Sequence, residues 1–187
     1  MPSESVGDSI RTFIGIGIPE PQRSLLGTHV VRCSALAPRL RWVPPANLHL
    51  TLRFIGQTSP ALLATIREGL QEVPFGPFEV GIGGAGTFGR GARTRVCWLG
   101  INRGQEPLSA LAAAVESVCR QSGLRSESRP YNPHLTLARA REREGVDLPD
   151  LPASPTVPPW RVEEFSIYQS RLGKGGPTYT ILETFSI

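Results

Sequence analysis

The chain is poor in cysteine: Cys33, Cys97 and Cys119 are an odd number, and no Cys-x-x-Cys pair occurs. A disulfide framework needs paired cysteines and a structural zinc site needs clustered ones, so neither is expected. Three reduced, buried thiols fit a cytosolic protein. No apolar run approaches the roughly 20 residues that span a bilayer. The opening stretch MPSESVGDSIRTFIGIGIPE lacks a basic segment followed by an apolar core and a small-residue cleavage site, so no signal peptide is read there. A cytoplasmic protein without membrane contact is the expectation. No Gly-x-Ser-x-Gly occurs, which removes hydrolases built on a nucleophile elbow. The run GIGGAG at 81–86 lacks the Lys-Ser/Thr and the following helix of a phosphate-binding loop, and 83–91 reads as a flexible turn.

What is present points to a globular fold. Of 187 residues, 40% are hydrophobic and 19% charged, enough apolar surface to offset ordering entropy in one domain. Gly (20) and Pro (18) are plentiful, which implies many turns and short strands. The net charge of +4 favours a polyanionic partner through phosphate contacts.

Residues 1–10 read as a flexible tail. Strands are expected at 12–18, 41–43, 49–55 (ended by Gly56), 75–82, 95–101, 134–138, 161–170 and 178–187. Helices are expected at 21–37, 60–73 and 105–121. Pro60 suits a first turn, and Gly123 suits the C-terminal cap of the third helix. Residues 141–159 read as a surface loop, and 173–177 as a Gly-rich turn joining the last two strands.

A repeat organises these elements. The order strand, helix, His-Leu-Thr-Leu strand occurs twice, at 49–52 and 134–137, and Thr12 precedes His49 by nearly the stretch that separates Val96 from His134. A duplicated unit of this kind predicts two lobes about a pseudo-two-fold axis, with equivalent strands facing each other across a groove.

In a strand, alternate side chains share a face. His49 with Thr51, and His134 with Thr136, therefore face a cavity, while Leu50, Leu52, Leu135 and Leu137 fill the core. A lone histidine in an apolar strand is usually structural. Two in the same tetrapeptide, in matching units, form a candidate acid–base pair. Opening a cyclic phosphodiester needs water activated on one side of phosphorus and the leaving oxygen protonated on the other. Two imidazoles do both jobs without metal, and threonine hydroxyls stabilise the non-bridging oxygens. One imidazole per strand with no carboxylate or thiol in either motif makes a poor metal site, so no metal and no cofactor are expected. His29, on a predicted helix without a partner, reads as structural or solvent-exposed.

At FIGIGIPE, RWVPPANLHLTLRFIG, TRVCWLGI, RPYNPHLTLARA and IYQSRLGKGGPTYTILETFSI the chain resembles the two-histidine phosphoesterase superfamily, specifically the bacterial RNA 2′,3′-cyclic phosphodiesterases, also called 2′-5′ RNA ligases. The resemblance covers nearly the whole chain. It implies one bilobal α+β domain over 1–187: two antiparallel sheets flanking a central groove, with helices outside. It implies hydrolysis of a terminal 2′,3′-cyclic phosphate on RNA or a nucleotide to a 2′-phosphate, by a monomer and without cofactor. By that resemblance His49 donates the proton to the departing 3′ oxygen, His134 activates water, and Thr51 and Thr136 hold the phosphate. Weak reverse 2′-5′ ligation follows from microscopic reversibility.

Arg139 resembles a ligand-contacting position, although strand parity puts it on the face opposite His134 unless the strand ends or twists. Arg53 has the parity of His49. Phe13, Tyr131 and Trp42 are candidates for stacking on a base or for plain packing. Two alternatives stay open: a non-catalytic module that binds a nucleotide or RNA end, and a phosphodiesterase for a small cyclic phosphate such as ADP-ribose 1″,2″-cyclic phosphate.

Overall fold

The computed structural model describes residues 9–173 and 176–187. Most of the tail expected over 1–10, and the centre of the turn expected over 173–177, lie outside these residues. In chain order the elements are β1 (Ile10–Gly17), α1 (Glu20–Leu36), β2 (Leu40–Trp42), a 3-10 turn (Pro45–Asn47), β3 (His49–Thr58), α2 (Pro60–Gln71), β4 (Phe78–Arg90), β5 (Arg93–Arg103), α3 (Gln105–Gln121), β6 (His134–Ala140), β7 (Trp160–Val162), β8 (Glu164–Gly173) and β9 (Gly176–Ser186).

The strands lie in the order β7-β4-β5-β6-β3-β1-β8-β9, with β2 added against β6, and every pairing is antiparallel. The two separate sheets expected from sequence are therefore one continuous nine-stranded sheet. Its two halves meet between β3 and β6 at one ladder pair, Leu50↔Leu135. Further along β6 its partner is β2 instead, through Leu40↔Ala140, Arg41↔Arg139 and Trp42↔Ala138.

The helices cover one face. Leu26 and Val30 of α1, Leu63, Ile66 and Leu70 of α2, and Leu108, Leu111 and Val115 of α3 share a core with Leu50, Leu52, Leu135 and Leu137. Ser59 caps α2 by accepting from the Leu62 N–H at 3.3 Å, and Pro60 takes the first turn, where its missing N–H costs nothing. Gly123 follows α3 with φ of 92°, a conformation that favours glycine. Cys33, Cys97 and Cys119 are buried free thiols.

Two departures from the sequence reading share one cause. Gly56 does not end β3, which runs to Thr58, and the glycine-rich 83–91 is not a loop but the second half of β4. Both strands carry bulges, at Thr12/Phe13 opposite Gly56 and at Gly83/Ala85. Gly56 (φ 87°) and Gly84 (φ 70°) supply the left-handed residues there. Gly86 is small for a separate reason. A Cβ there would lie 2.2 Å from Trp98 Cζ2, so the strand accepts only glycine beneath that ring. The single strand expected over 161–170 is broken at Glu163 into β7 and β8, which serve opposite ends of the sheet.

Candidate active site

The two His-Leu-Thr-Leu strands share more than a tetrapeptide. Over their first seven residues β3 and β6 have the same burial: half-buried His, buried Leu, half-buried Thr, two consecutive buried residues, an exposed residue, then a half-buried one. The consecutive buried pair marks a bulge in each strand. In β3 the ladder to β1 shifts between Thr51 and Arg53. In β6 the ladder to β5 shifts between Thr136 and Ala138. Each bulge adds a residue and reverses the parity of all that follow.

This parity reversal settles two arginines. Arg139 comes onto the face of Thr136 and lines a cavity with His49, Thr51 and Thr136. The twist that strand parity demanded is the bulge at Leu137. Arg53 goes the other way. It leaves the histidine face and is 8% exposed; its Nε lies 2.8 Å from Glu116 Oε2 on α3, and its guanidinium also pairs with Glu127. Its Nη2 donates to the Arg125 carbonyl at 2.6 Å. These pairs tie β3 to the segment leading into β6, and Arg53 lines the cavity that holds His134 rather than the one that holds His49.

The seam register fixes how the motifs meet. Leu50 opposite Leu135 in an antiparallel pair puts Thr136 across from His49 and Thr51 across from His134, all on the face away from the leucines. The two histidines are then diagonal neighbours across the seam.

Each ring is held alike. His49 Nδ1 lies 2.7 Å from the Asn47 carbonyl and His134 Nδ1 lies 2.7 Å from the Asn132 carbonyl. A carbonyl only accepts, so Nδ1 carries the proton in both rings and Nε2 is left for chemistry. Aromatic rings support them from behind. Phe13 stands 4.6 Å and Tyr179 5.3 Å from His49, centroid to centroid. Phe88 stands 5.1 Å and Trp98 6.2 Å from His134. Burial pulls the pKa of both histidines below the ordinary imidazole value. The bonds that the rings donate to the Asn47 and Asn132 carbonyls oppose that shift, and the positive charge of Arg139 adds to it.

Two cavities flank the seam. The first, about 480 Å³, holds His49, Thr51, Thr136 and Arg139 with Arg11, Arg41 and Tyr179. It has three arginines in its lining and no carboxylate. The second, about 610 Å³, holds His134 and Thr51 with Phe54, Phe88, Arg129 and Tyr131, floored by Ser109, Ala113 and Glu116 of α3. Thr51 and Phe54 line both.

The remaining candidates divide. Phe13 lines the first cavity but is 2% exposed and stacked on Tyr168, so it backs His49 rather than offering a free face. Tyr131 bonds from its hydroxyl to the Thr51 carbonyl at 3.1 Å and fixes the 130s segment to β3. Trp42 donates to the Ala37 carbonyl and packs on the core. His29 is buried beside Cys33, with Nε2 3.4 Å from Sγ, as a structural residue. Among the described residues no three side chains of His, Cys, Asp or Glu converge as a metal site would require. Sequence reasoning missed the two asparagines, although Asn stands two places before each motif histidine. It also missed Tyr179 and Phe88, which topology alone brings to the site.

The chain is similar to proteins of one family. Residues 23–174 match the family model for the 2′-5′ RNA ligase superfamily. A Methanothermobacter thermautotrophicus protein named RNA 2′,3′-cyclic phosphodiesterase is 32% identical, over 95% of this chain and 99% of its own. Another of that name, from Thermus thermophilus, is 33% identical, over 95% of this chain and 90% of its own. Among solved structures, the apo form of Escherichia coli LigT aligns with a TM-score of 0.78 at 28% identity, covering 96% of this chain and 98% of that one. The same protein has been solved with 3′-AMP (TM-score 0.75, 26% identity, 97% and 99% covered).

Proposed function

Because the chain belongs to the 2′-5′ RNA ligase superfamily, we propose that it is an RNA 2′,3′-cyclic phosphodiesterase that opens a terminal cyclic phosphate to a 2′-phosphate with His49 and His134. The observation that carries the reading is the diagonal pair of imidazoles, each with Nδ1 bound to a backbone carbonyl and, among the described residues, no partner at Nε2. His134 Nε2 takes a proton from water as it attacks phosphorus. His49 Nε2–H gives a proton to the departing 3′ oxygen. Thr51 and Thr136 donate to the non-bridging oxygens, and the Arg139 guanidinium balances the charge that grows on them. No step in this scheme requires a metal.

The arginine-lined cavity beside His49 suits the phosphate-bearing strand. Both histidines come from one chain, so a monomer suffices. The matched burial, bulges and carbonyl contacts of β3 and β6 support the further reading that the two halves are copies of one unit. The test is turnover of an oligonucleotide 2′,3′-cyclic phosphate in EDTA. His49→Ala and His134→Ala each lower kcat by at least about 10²-fold, the scale of general acid–base catalysis. Equal turnover in either variant, or a requirement for metal, refutes the scheme.

A further inference from the structure

Of the 20 basic side chains all but Lys174 are arginines, and one group of them gathers away from the histidines. Arg90, Arg93, Arg95 and Arg143 line a surface cavity of about 510 Å³ together with Glu144. None of these residues lines either cavity at the seam. We propose that this cluster is a separate RNA-binding surface, which grips the phosphate backbone of a paired stem whatever the chemistry of that RNA's end.

The fold builds the cluster from two stretches remote in the chain. Arg90 and Arg93 are ladder partners across the tight turn at Gly91, whose φ is 59°. Like charges directly opposite each other in a ladder destabilise it. Arg95 is the extra residue of a bulge facing Phe88 and Gly89, and it has no ladder partner on β4. Arg143 comes from the segment that follows β6. That segment is fastened to β5 by backbone bonds of 2.8 Å in both directions between Thr94 and Val146. Arg93 Nη2 adds a bond to the Gly145 carbonyl at 2.7 Å. Gly145 lies so close to β5 that a Cβ there would be 2.7 Å from the Thr94 carbonyl oxygen and 3.2 Å from Arg95 Cγ.

Neighbouring carboxylates do not neutralise the group. Asp147 is 3.5 Å from Arg93, and Glu142 is engaged by Arg39 at 3.0 Å. Among the described residues, Arg90, Arg95 and Arg143 have no ion-pair partner. Like charges held together without counter-charge favour an anion with several negative groups. The lining then selects among polyanions. Guanidinium forks match phosphate oxygens in pairs. No aromatic ring lines the cavity, whereas surfaces for unpaired strands stack bases on such rings. No apolar side chain lines it either, so it lacks the buried anchors of a protein interface. Contact with the backbone and not with base faces is how paired RNA is held.

The probe is a fluorescein-labelled RNA stem-loop of about 16 base pairs ending in a 3′-hydroxyl, titrated with the full chain by anisotropy at several salt concentrations. The wild type is expected to bind it, with log Kd rising linearly with log salt. Arg90→Gln with Arg95→Gln is expected to weaken binding about tenfold at fixed salt and to lower that slope by about 2. Arg143→Gln lowers the slope by about 1. Arg32→Gln with Arg120→Gln removes the same charge from exposed positions on α1 and α3 and leaves affinity within about twofold. Every variant is expected to hydrolyse adenosine 2′,3′-cyclic phosphate within about twofold of the wild-type rate, since no substituted residue lines the seam cavities. A wild type that does not bind the stem, a double hairpin variant with unchanged affinity and slope, or a control that binds as weakly as that variant overturns the surface. So does hydrolysis that falls in step with binding. Displacement of the stem by poly-glutamate as readily as by unlabelled stem overturns it in favour of an acidic protein partner. Stem binding by a wild type inert toward the cyclic mononucleotide would remove the hydrolase and leave this surface standing.

Discussion

Arg139 acts on the imidazoles through charge as well as through any contact with phosphate. Its guanidinium lowers the pKa of both His49 and His134, on top of the larger effect of burial. Both free-enzyme values therefore lie below 6.5, and the bell of kcat/KM against pH is centred on the acid side of that value. Bound substrate brings a negative charge that raises both, so the kcat profile lies at higher pH. Arg139→Gln removes a positive charge, so both imidazole pKa values rise and the kcat/KM bell moves toward neutral pH. The rate falls at the same time by about 10–10²-fold, as one charge-assisted hydrogen bond is lost. A slower variant with an unmoved bell would show that Arg139 does not share the field of the two rings.

At the scale of elements, the bulges decide which side chains reach the groove. The helices at 60–71 and 105–121 were legible in sequence because apolar periodicity agrees with Pro60 and Gly123 there. The His and Thr faces were legible because alternation is reliable before a bulge. Arg53 and Arg139 were left open because one inserted residue leaves no mark in a single sequence. Nor could alternation find Tyr179 or Phe88, which arrive from strands remote in the chain. Arg53 now has a testable task. Leucine in its place leaves Glu116 without its cation, and stability is expected to fall by about 2 kcal/mol, discounted from a fully buried pair because Glu127 is half exposed. The midpoint of denaturant unfolding reads this directly. Lysine does not restore it, since one ammonium cannot span both carboxylates and the Arg125 carbonyl. Full recovery with lysine would reduce Arg53 to a simple charge.

For the whole molecule, three histidines with lowered pKa set a common acid limit. His29, His49 and His134 are each shifted down, chiefly by burial. Above 6.5 they are neutral whether the chain is folded or not. As pH falls below 6.5 the unfolded chain takes the protons first, so stability drops until the folded-state values are passed. The Tm is expected to decrease between pH 7 and 5, with a shallower slope in the His49→Gln, His134→Gln double variant. An unchanged slope would place the acid sensitivity elsewhere. The path of the chain has a different consequence. Phe78 and Val162 are ladder partners, so the stretch from 78 to 162 departs from the rest and rejoins it at neighbouring points. Among the described residues, the backbone ladders crossing between this stretch and the remainder are Leu50↔Leu135 and the three pairs of β2 with β6. Such a stretch is a natural cassette: grafted whole from a relative, it carries one histidine and its asparagine, while its host keeps the other.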